Sequence, residues 1–463
     1  MTKRYDAVIV GTGQAAPAWA GRLTGAGISV AVVERGRFGG TCVNTGCIPT
    51  KTLVASAYAA NMVRRASDFG VVLHGGFHVD MKAVKARKDA ISKQSREGVE
   101  SYLKKMERCT VMEGHARFES PDEIRVGAER IQASKIFLNV GGRATIPNTP
   151  GLESIPYLTN SSMMEIDFLP RHLVIIGGGY VSLEFAQMYR RFGSEVTIVQ
   201  RSSRLLHGED EDVSSTVQDI LEAEGVTVLL KTEAKRFRRN GNDAVIEVSK
   251  DQGTAEITGS HVLLAVGRRP NTDDLGLDKA GVVVDDRSYI CVDDHLRTSV
   301  PGIWALGDCN GKGAFTHTSY NDFEIVAANL LENGSRKVSD RIAAHAVFID
   351  PPLARIGMTE GEARKSKRRV LVGQRPMTRV SRAVEKGESQ GFMKILVDAG
   401  TKEILGATIL GTSGDEAIHC ILDMMYAKAP YTTLQQAMHI HPTVSELIPT
   451  LLGELKPLQA DPK

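Results

Sequence analysis

The chain has 463 residues, 42% of them hydrophobic, with Lys+Arg 57 against Asp+Glu 55 and a formal net charge of +2. That length accommodates about three domains with full cores, and the near-neutral balance excludes a general affinity for nucleic acid or an anionic membrane surface. No apolar run approaches the roughly eighteen residues of a membrane span, so no membrane partner is expected.

Met1-Thr2-Lys3-Arg4 leads straight into an apolar segment, which leaves no room for a signal peptide and predicts a cytoplasmic protein. In that compartment the six cysteines do not form a disulfide framework. Tyr5-Asp6-Ala7-Val8-Ile9-Val10 reads as a buried parallel strand, and Gly11-x-Gly13-x-x-Ala16 follows it into a helix. Gly11 permits the tight turn, Gly13 lets backbone approach a pyrophosphate, and Ala16 allows close helix–strand packing. The helix N-terminus offers free N–H groups to phosphates, and Pro17 falls in the first turn, where a missing N–H costs little. A second strand, Ser29 to Val33, leads to Glu34, whose carboxylate suits a ribose diol. This is a dinucleotide site, and an acid at that place suits FAD.

Next comes Gly39-Gly40-Thr41-Cys42-Val43-Asn44-Thr45-Gly46-Cys47-Ile48-Pro49-Thr50-Lys51, with four residues between the cysteines. Two thiols can hold zinc, but zinc takes roughly four N/S ligands, and no second Cys or His pair lies nearby; no metal site is expected. A close thiol pair just beyond a dinucleotide fingerprint points to a redox-active disulfide against a flavin. Cys109, Cys291, Cys309 and Cys420 read as ordinary buried or semi-buried residues. The basic run Lys82 to Arg108 has nine Lys/Arg against four Asp/Glu at helical spacing, a solvated helix rather than a nucleic-acid patch.

The nucleotide device recurs. His172 to Ile176 is a strand, and Gly177-Gly178-Gly179-Tyr180-Val181-Ser182 opens a helix, so two dinucleotides are expected. Glu34 lies twenty-three residues after Gly11, whereas twenty-three residues after Gly177 comes Gln200, followed by Arg201 and Arg204. Guanidinium groups bind a 2′-phosphate that a carboxylate would repel, so the second site is expected to take NADPH rather than NADH. Ser182 stands at the third small position. Val262 to Asn271 closes this unit as strand and turn, and Ile303-Trp304-Ala305-Leu306-Gly307-Asp308 is a buried strand with Gly-Asp at its carboxyl end, a usual place for ligand contacts. Strand-like Phe392 to Val397 and Ile404 to Leu410 precede a helix over about Asp415 to Tyr426. The expected fold is α/β: two Rossmann-like dinucleotide-binding domains plus a C-terminal α+β dimerisation domain. Its parts are residues 1–146 (FAD domain), 147–270 (NADPH domain), 271–338 (return to the FAD domain) and 339–463 (interface domain).

The Cys42 to Lys51 motif, both glycine fingerprints, Gly307-Asp308 and the ending His441-Pro442-Thr443-Val444-Ser445-Glu446 together resemble the flavoprotein disulfide reductases, the group of glutathione reductase, dihydrolipoyl dehydrogenase and mercuric reductase. The resemblance covers essentially the whole chain. Gly-Thr-Cys-Val-Asn-Thr-Gly-Cys-Ile-Pro-Thr-Lys and Asp350-Pro351-Pro352-Leu353-Ala354-Arg355-Ile356-Gly357-Met358 look most like the mercuric-reductase-like branch, which includes bacterial flavoproteins of reactive-chlorine resistance.

The resemblance implies that Cys47 lies next to the flavin and that Cys42 is the exchange thiol facing substrate. It implies that Lys51 and Glu184 are an ion pair near the flavin's reactive nitrogen, and that Tyr180 covers the nicotinamide pocket; a packed core tyrosine is the competing reading. Thr41, Gly142 and Gly267 are expected among the cofactor-binding residues. It further implies a homodimer whose sites each borrow His441, the acid–base group, and Glu446 from the partner, although His439 stands two residues away. Mercuric reductases carry a terminal cysteine pair, and Leu451 to Lys463 has none. The expected substrate is therefore a small disulfide, oxidant or metal ion. A mercuric reductase without that pair, a glutathione reductase, an NADPH oxidase-type flavoprotein and a slow-turnover redox sensor are the alternatives.

Overall fold

Small and β-branched residues dominate Lys3–Val10. In the computed structural model, which describes residues 2–250 and 253–459, they form the central strand β1 of a parallel sheet. Ala7 to Val10 are buried on both faces, as a parallel strand sandwiched between layers must be. Helix α1 (Ala16–Gly25) starts with Pro17 in its first turn, and β2 (Val30–Glu34) pairs beside β1. Three helices follow: α2 (Gly40–Asn44), α3 (Cys47–Arg64) and α4 (Met81–Lys105). Then come β3 (Cys109–Glu113), the antiparallel β4 (Ala116–Ser120) and β5 (Glu123–Val126), and β6 (Glu129–Leu138), giving the order β3-β2-β1-β6-β5-β4.

After the short β7 (Gly142–Ala144) and β8 (Tyr157–Leu158) the unit repeats. Strand β9 (His172–Ile176) leads to α5 (Tyr180–Phe192), β10 (Glu195–Val199), α6 (Glu211–Ala223) and β11 (Thr227–Leu229). An antiparallel layer of β12 (Thr232–Asn240), β13 (Asp243–Lys250) and β14 (Gly253–Gly259) intervenes before β15 (His261–Leu264) completes the parallel order β11-β10-β9-β15-β8. The runs β3-β2-β1-β6 and β11-β10-β9-β15 share one topology, with the glycine-bearing strand central in each. Strand β16 (Arg268–Pro270) pairs with β7; after α7 (Leu277–Ala280), β17 (Ile303–Ala305) rejoins the first sheet beside β6 and α8 (Thr316–Leu331) follows.

The last part is antiparallel. Strands β18 (Ala344–Val347), β19 (Leu353–Gly357), β20 (Val370–Pro376), β21 (Phe392–Asp398), β22 (Ile404–Leu410) and β23 (Lys456–Pro457) stand in the order β18-β19-β22-β21-β20-β23. The architecture is α/β with a separate C-terminal α+β layer, as expected. Among the described residues no helix is long and apolar enough to cross a membrane.

Three local expectations are corrected. The helix expected over 415–426 is two pieces, Gly414–Ala417 and His419–Tyr426, which meet at Ile418, where Ile421 N makes a tighter i→i−3 bond to Ile418 O beside the regular one from Leu422 N. Cys291 is exposed: the extended backbone points Ile290 inward and its neighbour outward. The basic helix is not wholly solvated, since Lys88 is only 4% exposed and its Nζ donates to Met164 O at 2.6 Å.

Candidate active site

A cavity of about 1530 Å³ runs along the carboxyl ends of β1 and β2 toward α3 and α5. That is where an open α/β sheet binds its ligands. Gly11, Gly13 and Glu34 line it, and so do Thr41, Cys42, Cys47, Lys51, Tyr180, Glu184 and Asp308.

The glycines are held by internal packing as well as by ligand space. Gly11 has φ +93°, and a Cβ there would sit 2.4 Å from Asn139 O; one on Gly13 would meet Asn139 Oδ1 at 2.5 Å. Gly177 repeats this against Ala265 O (2.4 Å), whereas a Cβ on Gly179 would meet nothing within 4 Å, leaving open space over the turn. Glu34 accepts from Thr12 N (2.9 Å) and Thr12 Oγ1 (2.5 Å) with one oxygen and from Gly36 N (2.8 Å) with the other, so it is fixed facing the cavity. Asp308 follows β17; Arg268 Nη2 is 3.5 Å from it and donates to Gly142 O at 2.7 Å, and burial pushes the Asp308 carboxyl up. A single cavity of this size, lined by a carboxylate, a glycine turn and a thiol pair, fits FAD.

Cys42 sits in α2 and Cys47 is the first residue of α3, whose 18 residues direct a positive dipole end at the pair. Both are free thiols. The interaction between the two side chains holds Cys42 protonated, with burial adding to the upward push, and brings Cys47 down to about 6. Thr316 Oγ1, 3.1 Å from Cys47 Sγ, and the Lys51 ammonium also favour the Cys47 thiolate. Lys51 Nζ donates to both oxygens of Glu184 (2.8 and 2.9 Å); Glu184 is 4% exposed and also accepts from Phe348 N at 2.9 Å. Phe348 lies under the Lys51 ammonium at 4.5 Å. Tyr180 is half-buried and packs on Phe315, centroids 5.8 Å apart; burial pushes its phenol up.

Other predicted residues lie off this cavity wall. Ala16 is fully buried behind it, packed as expected. Gly142 is inside β7, where a Cβ would meet Arg269 O at 2.9 Å, while Gly141 takes the wall. Gly267 has φ +128° and hands the wall to Arg268. Ser182 fits with zero exposure, but its hydroxyl lacks a hydrogen-bond partner among the described residues. Arg201 is exposed and forms no ion pair among the described residues; Arg204 donates to His207 O at 3.1 Å. His441 Nδ1 lies 2.9 Å from Glu446 Oε2, and the imidazole is 73% exposed, away from the thiols of its own chain. Thr12, Asn139, Arg268, Phe315, Thr316 and Phe348 were not anticipated. Thr12 and Arg268 lie inside stretches already singled out, at positions whose pattern admits any residue, and the others come from segments that no local spacing joins to the motifs.

The model of the pyridine nucleotide-disulphide oxidoreductases matches residues 5–322, and that of their dimerisation domain matches residues 343–452. The chain belongs to this family. Members are FAD flavoproteins that use a nicotinamide nucleotide and a redox disulfide. The chain is 35% identical to a probable pyridine nucleotide-disulfide oxidoreductase, RclA, of Escherichia coli strain K12, over 98% of this chain and 100% of that one. It is 32% identical to a mercuric reductase of Streptomyces lividans (96% and 94% covered) and 33% identical to a dihydrolipoyl dehydrogenase of Thermus scotoductus (96% of each). Among solved structures, the HOCl-induced flavoprotein disulfide reductase RclA of E. coli superposes with a TM-score of 0.89 at 34% identity, covering 97% of this chain and 99% of that one; RclA has also been solved as a Cu(II) complex. The oxidoreductase fold and the dimerisation domain are thereby shared across nearly the whole length.

Proposed function

We propose that the protein is an NADPH-dependent FAD disulfide oxidoreductase that passes electrons through Cys42 and Cys47 to a small disulfide or a reactive-chlorine-derived oxidant. The observation that carries this is the Cys47 sulfur, 3.1 Å from the Thr316 hydroxyl at the start of α3 and on the same cavity wall as Cys42. It lines the same cavity as the Lys51–Glu184 pair and the Glu34 carboxylate. FAD, when bound, supplies two-electron transfer between NADPH and the Cys42–Cys47 disulfide.

The chain's own residues perform the exchange. Cys42 gives up its proton and its thiolate attacks one sulfur of the substrate, releasing a thiol and forming a mixed disulfide. Cys47 thiolate then attacks Cys42 Sγ, releasing the second thiol and closing Cys42–Cys47; the substrate gains the two electrons that the pair loses. Cys42 holds the pair's proton, so the first step needs a base. His441 suits that role, because Glu446 takes its Nδ1–H and leaves Nε2 free to accept. His441 is exposed and does not line the cavity that holds its own chain's thiols, and Met438 (98%) and Ile440 (81%) are exposed beside it, an apolar surface suited to burial against a second copy. We therefore assign His441 and Glu446 to the active site of the opposite protomer in a homodimer.

For the second nucleotide, Arg201, exposed and without an ion pair among the described residues, favours NADPH. For the acceptor, residues 439–459 around His441 offer no thiol to relay a soft metal ion, which favours a small disulfide or oxidant over thiol-complexed Hg(II). The test is kcat/KM with NADPH across a small disulfide, a reactive-chlorine-derived oxidant, thiol-complexed Hg(II), O₂ and a quinone, with Cys42→Ser as the blank. The disulfide or chlorine-derived oxidant is expected to lead and to be lost in the variant. A larger Hg(II) value lost in the variant would make the protein a mercuric reductase. An O₂ or quinone rate indifferent to the variant would make it an oxidase.

A further inference from the structure

The loop after β10 carries Arg201 and Arg204 and ends at Glu209, a carboxylate only 7% exposed in its side chain. The loop is pinned to the second glycine turn, since Leu206 N donates to Gly178 O at 2.9 Å and Leu205 is fully buried against that turn. Just past it, Asp210 and Asp212 with Glu360 surround Lys394 Nζ at 3.0, 2.8 and 2.8 Å, which ties the loop's end to the C-terminal sheet.

Glu209 reaches into the other domain's strands. Its Oε1 is 2.9 Å from His345 Nε2 and its Oε2 is 2.9 Å from Arg355 Nε. His345 and Arg355 are directly opposite one another on β18 and β19, so two cross-strand neighbours grip one carboxylate. The His345 ring lies parallel to Phe315, at 5.7 Å and 5° between planes, and Phe315 packs on Tyr180. The residue after Phe315 is Thr316, whose hydroxyl touches Cys47. An unbroken set of contacts therefore leads from the loop proposed to read the 2′-phosphate to the ring proposed to cover the nicotinamide.

We propose that Glu209 and His345 are positioning residues that couple occupancy of the Arg201 loop to the seating of Phe315 and Tyr180, so that the 2′-phosphate of NADPH speeds flavin reduction as well as tightening binding. This rests on the NADPH assignment above. A phosphate bound by Arg201 adds a contact to the loop that ends at Glu209, and the Glu209 carboxylate, 2.9 Å from His345 Nε2, carries that contact to the ring stacked on Phe315.

The experiment is stopped-flow flavin reduction of the holoenzyme by NADPH and by NADH in the wild type, His345→Phe and Glu209→Gln, with 2′,5′-ADP titrated separately as a phosphate-loop probe that lacks nicotinamide. His345→Phe keeps a ring on Phe315 and deletes the hydrogen bond; Glu209→Gln keeps the shape and deletes the charge. In both, the limiting rate with NADPH is expected to fall about tenfold toward that with NADH, within the ordinary range for coupled sites. The NADH rate and the 2′,5′-ADP affinity are expected to change by less than about twofold, as for groups outside the phosphate contact. An unchanged NADPH limiting rate overturns the coupling, and so does an equal fall for both nucleotides, which would make the pair a local support for Tyr180. Loss of 2′,5′-ADP affinity with rates intact overturns it too, by making Glu209 a shaper of the loop alone. If the wild type reduces equally fast and binds equally well with both nucleotides, the NADPH assignment itself fails, a result separable from failure in the variants alone.

Discussion

Replacing Thr316 by Val removes the hydroxyl 3.1 Å from Cys47 Sγ while keeping the side chain's shape. A hydrogen bond to a charged acceptor contributes about 1.5–3 kcal/mol when it is buried. Cys47 faces an open cavity, and the Cys42 thiol and the Lys51 ammonium continue to favour its thiolate. Solvent screening and those remaining groups reduce the loss to about 1 kcal/mol, which is about 0.7 of a pH unit in the thiol's ionisation. Because the Cys47 ionisation lies low, at about 6, the thiolate persists above that pH and is lost as pH falls through it. The readout is the long-wavelength absorbance that a thiolate against an oxidised flavin produces, followed against pH in the two-electron-reduced holoenzyme. The wild-type band is expected to fade with a midpoint near 6 and the Thr316→Val band at a midpoint higher by about half to one pH unit. An unmoved midpoint, or a band that titrates like an ordinary thiol in both proteins, would show that the Thr316 hydroxyl does not hold the Cys47 thiolate.

Arg201→Glu is expected to raise the KM for NADPH by about tenfold or more, the lower end of one charge-assisted contact because Arg201 is exposed, while the KM for NADH changes little; equal effects on both would remove Arg201 from phosphate reading. Glu184→Ala strands the Lys51 ammonium and the Phe348 N–H, and is expected to cost about 2 kcal/mol once the one-third exposure of Lys51 is allowed for; a thermal midpoint equal to that of the wild type would show that the pair contributes nothing to stability. His441→Ala protein is expected to keep flavin reduction by NADPH and lose thiol–disulfide exchange. Mixing it with Cys42→Ser subunits is expected to restore activity to about half the sites of each heterodimer, whereas no recovery despite measured subunit exchange would place the whole site within one chain.

The parts of the molecule that were legible in the sequence obey local rules. Strand β9 occupies His172–Ile176, the residues read from its apolar run, and both glycine turns sit where a strand must reverse into a helix. Ala16 and Ser182 are buried because their positions allow only small side chains. Glu34 was visible from its offset, but not the Thr12 hydroxyl and amide that aim it. The illegible parts depend on tertiary neighbours. Thr316 stands 269 residues beyond the thiol that it contacts, and Phe348 supports Glu184 from a strand end in another layer. The Lys51–Glu184 contact joins helices 133 residues apart, and only the family resemblance suggested it. The close approach of Asn139 to Gly11 and Gly13 was equally hidden, because the fingerprint explains those glycines by the ligand alone.

In the proposed cycle, electrons from NADPH arrive at Cys42 and Cys47. The direct measurement is to add one equivalent of NADPH to the oxidised holoenzyme under argon, denature, trap free thiols and locate them by peptide mass spectrometry. Because the disulfide couple takes two electrons, about two new thiols per chain are expected, at Cys42 and Cys47, for about one NADPH consumed. Consumption of NADPH with a bleached flavin and no new thiols at those two positions would contradict that cycle.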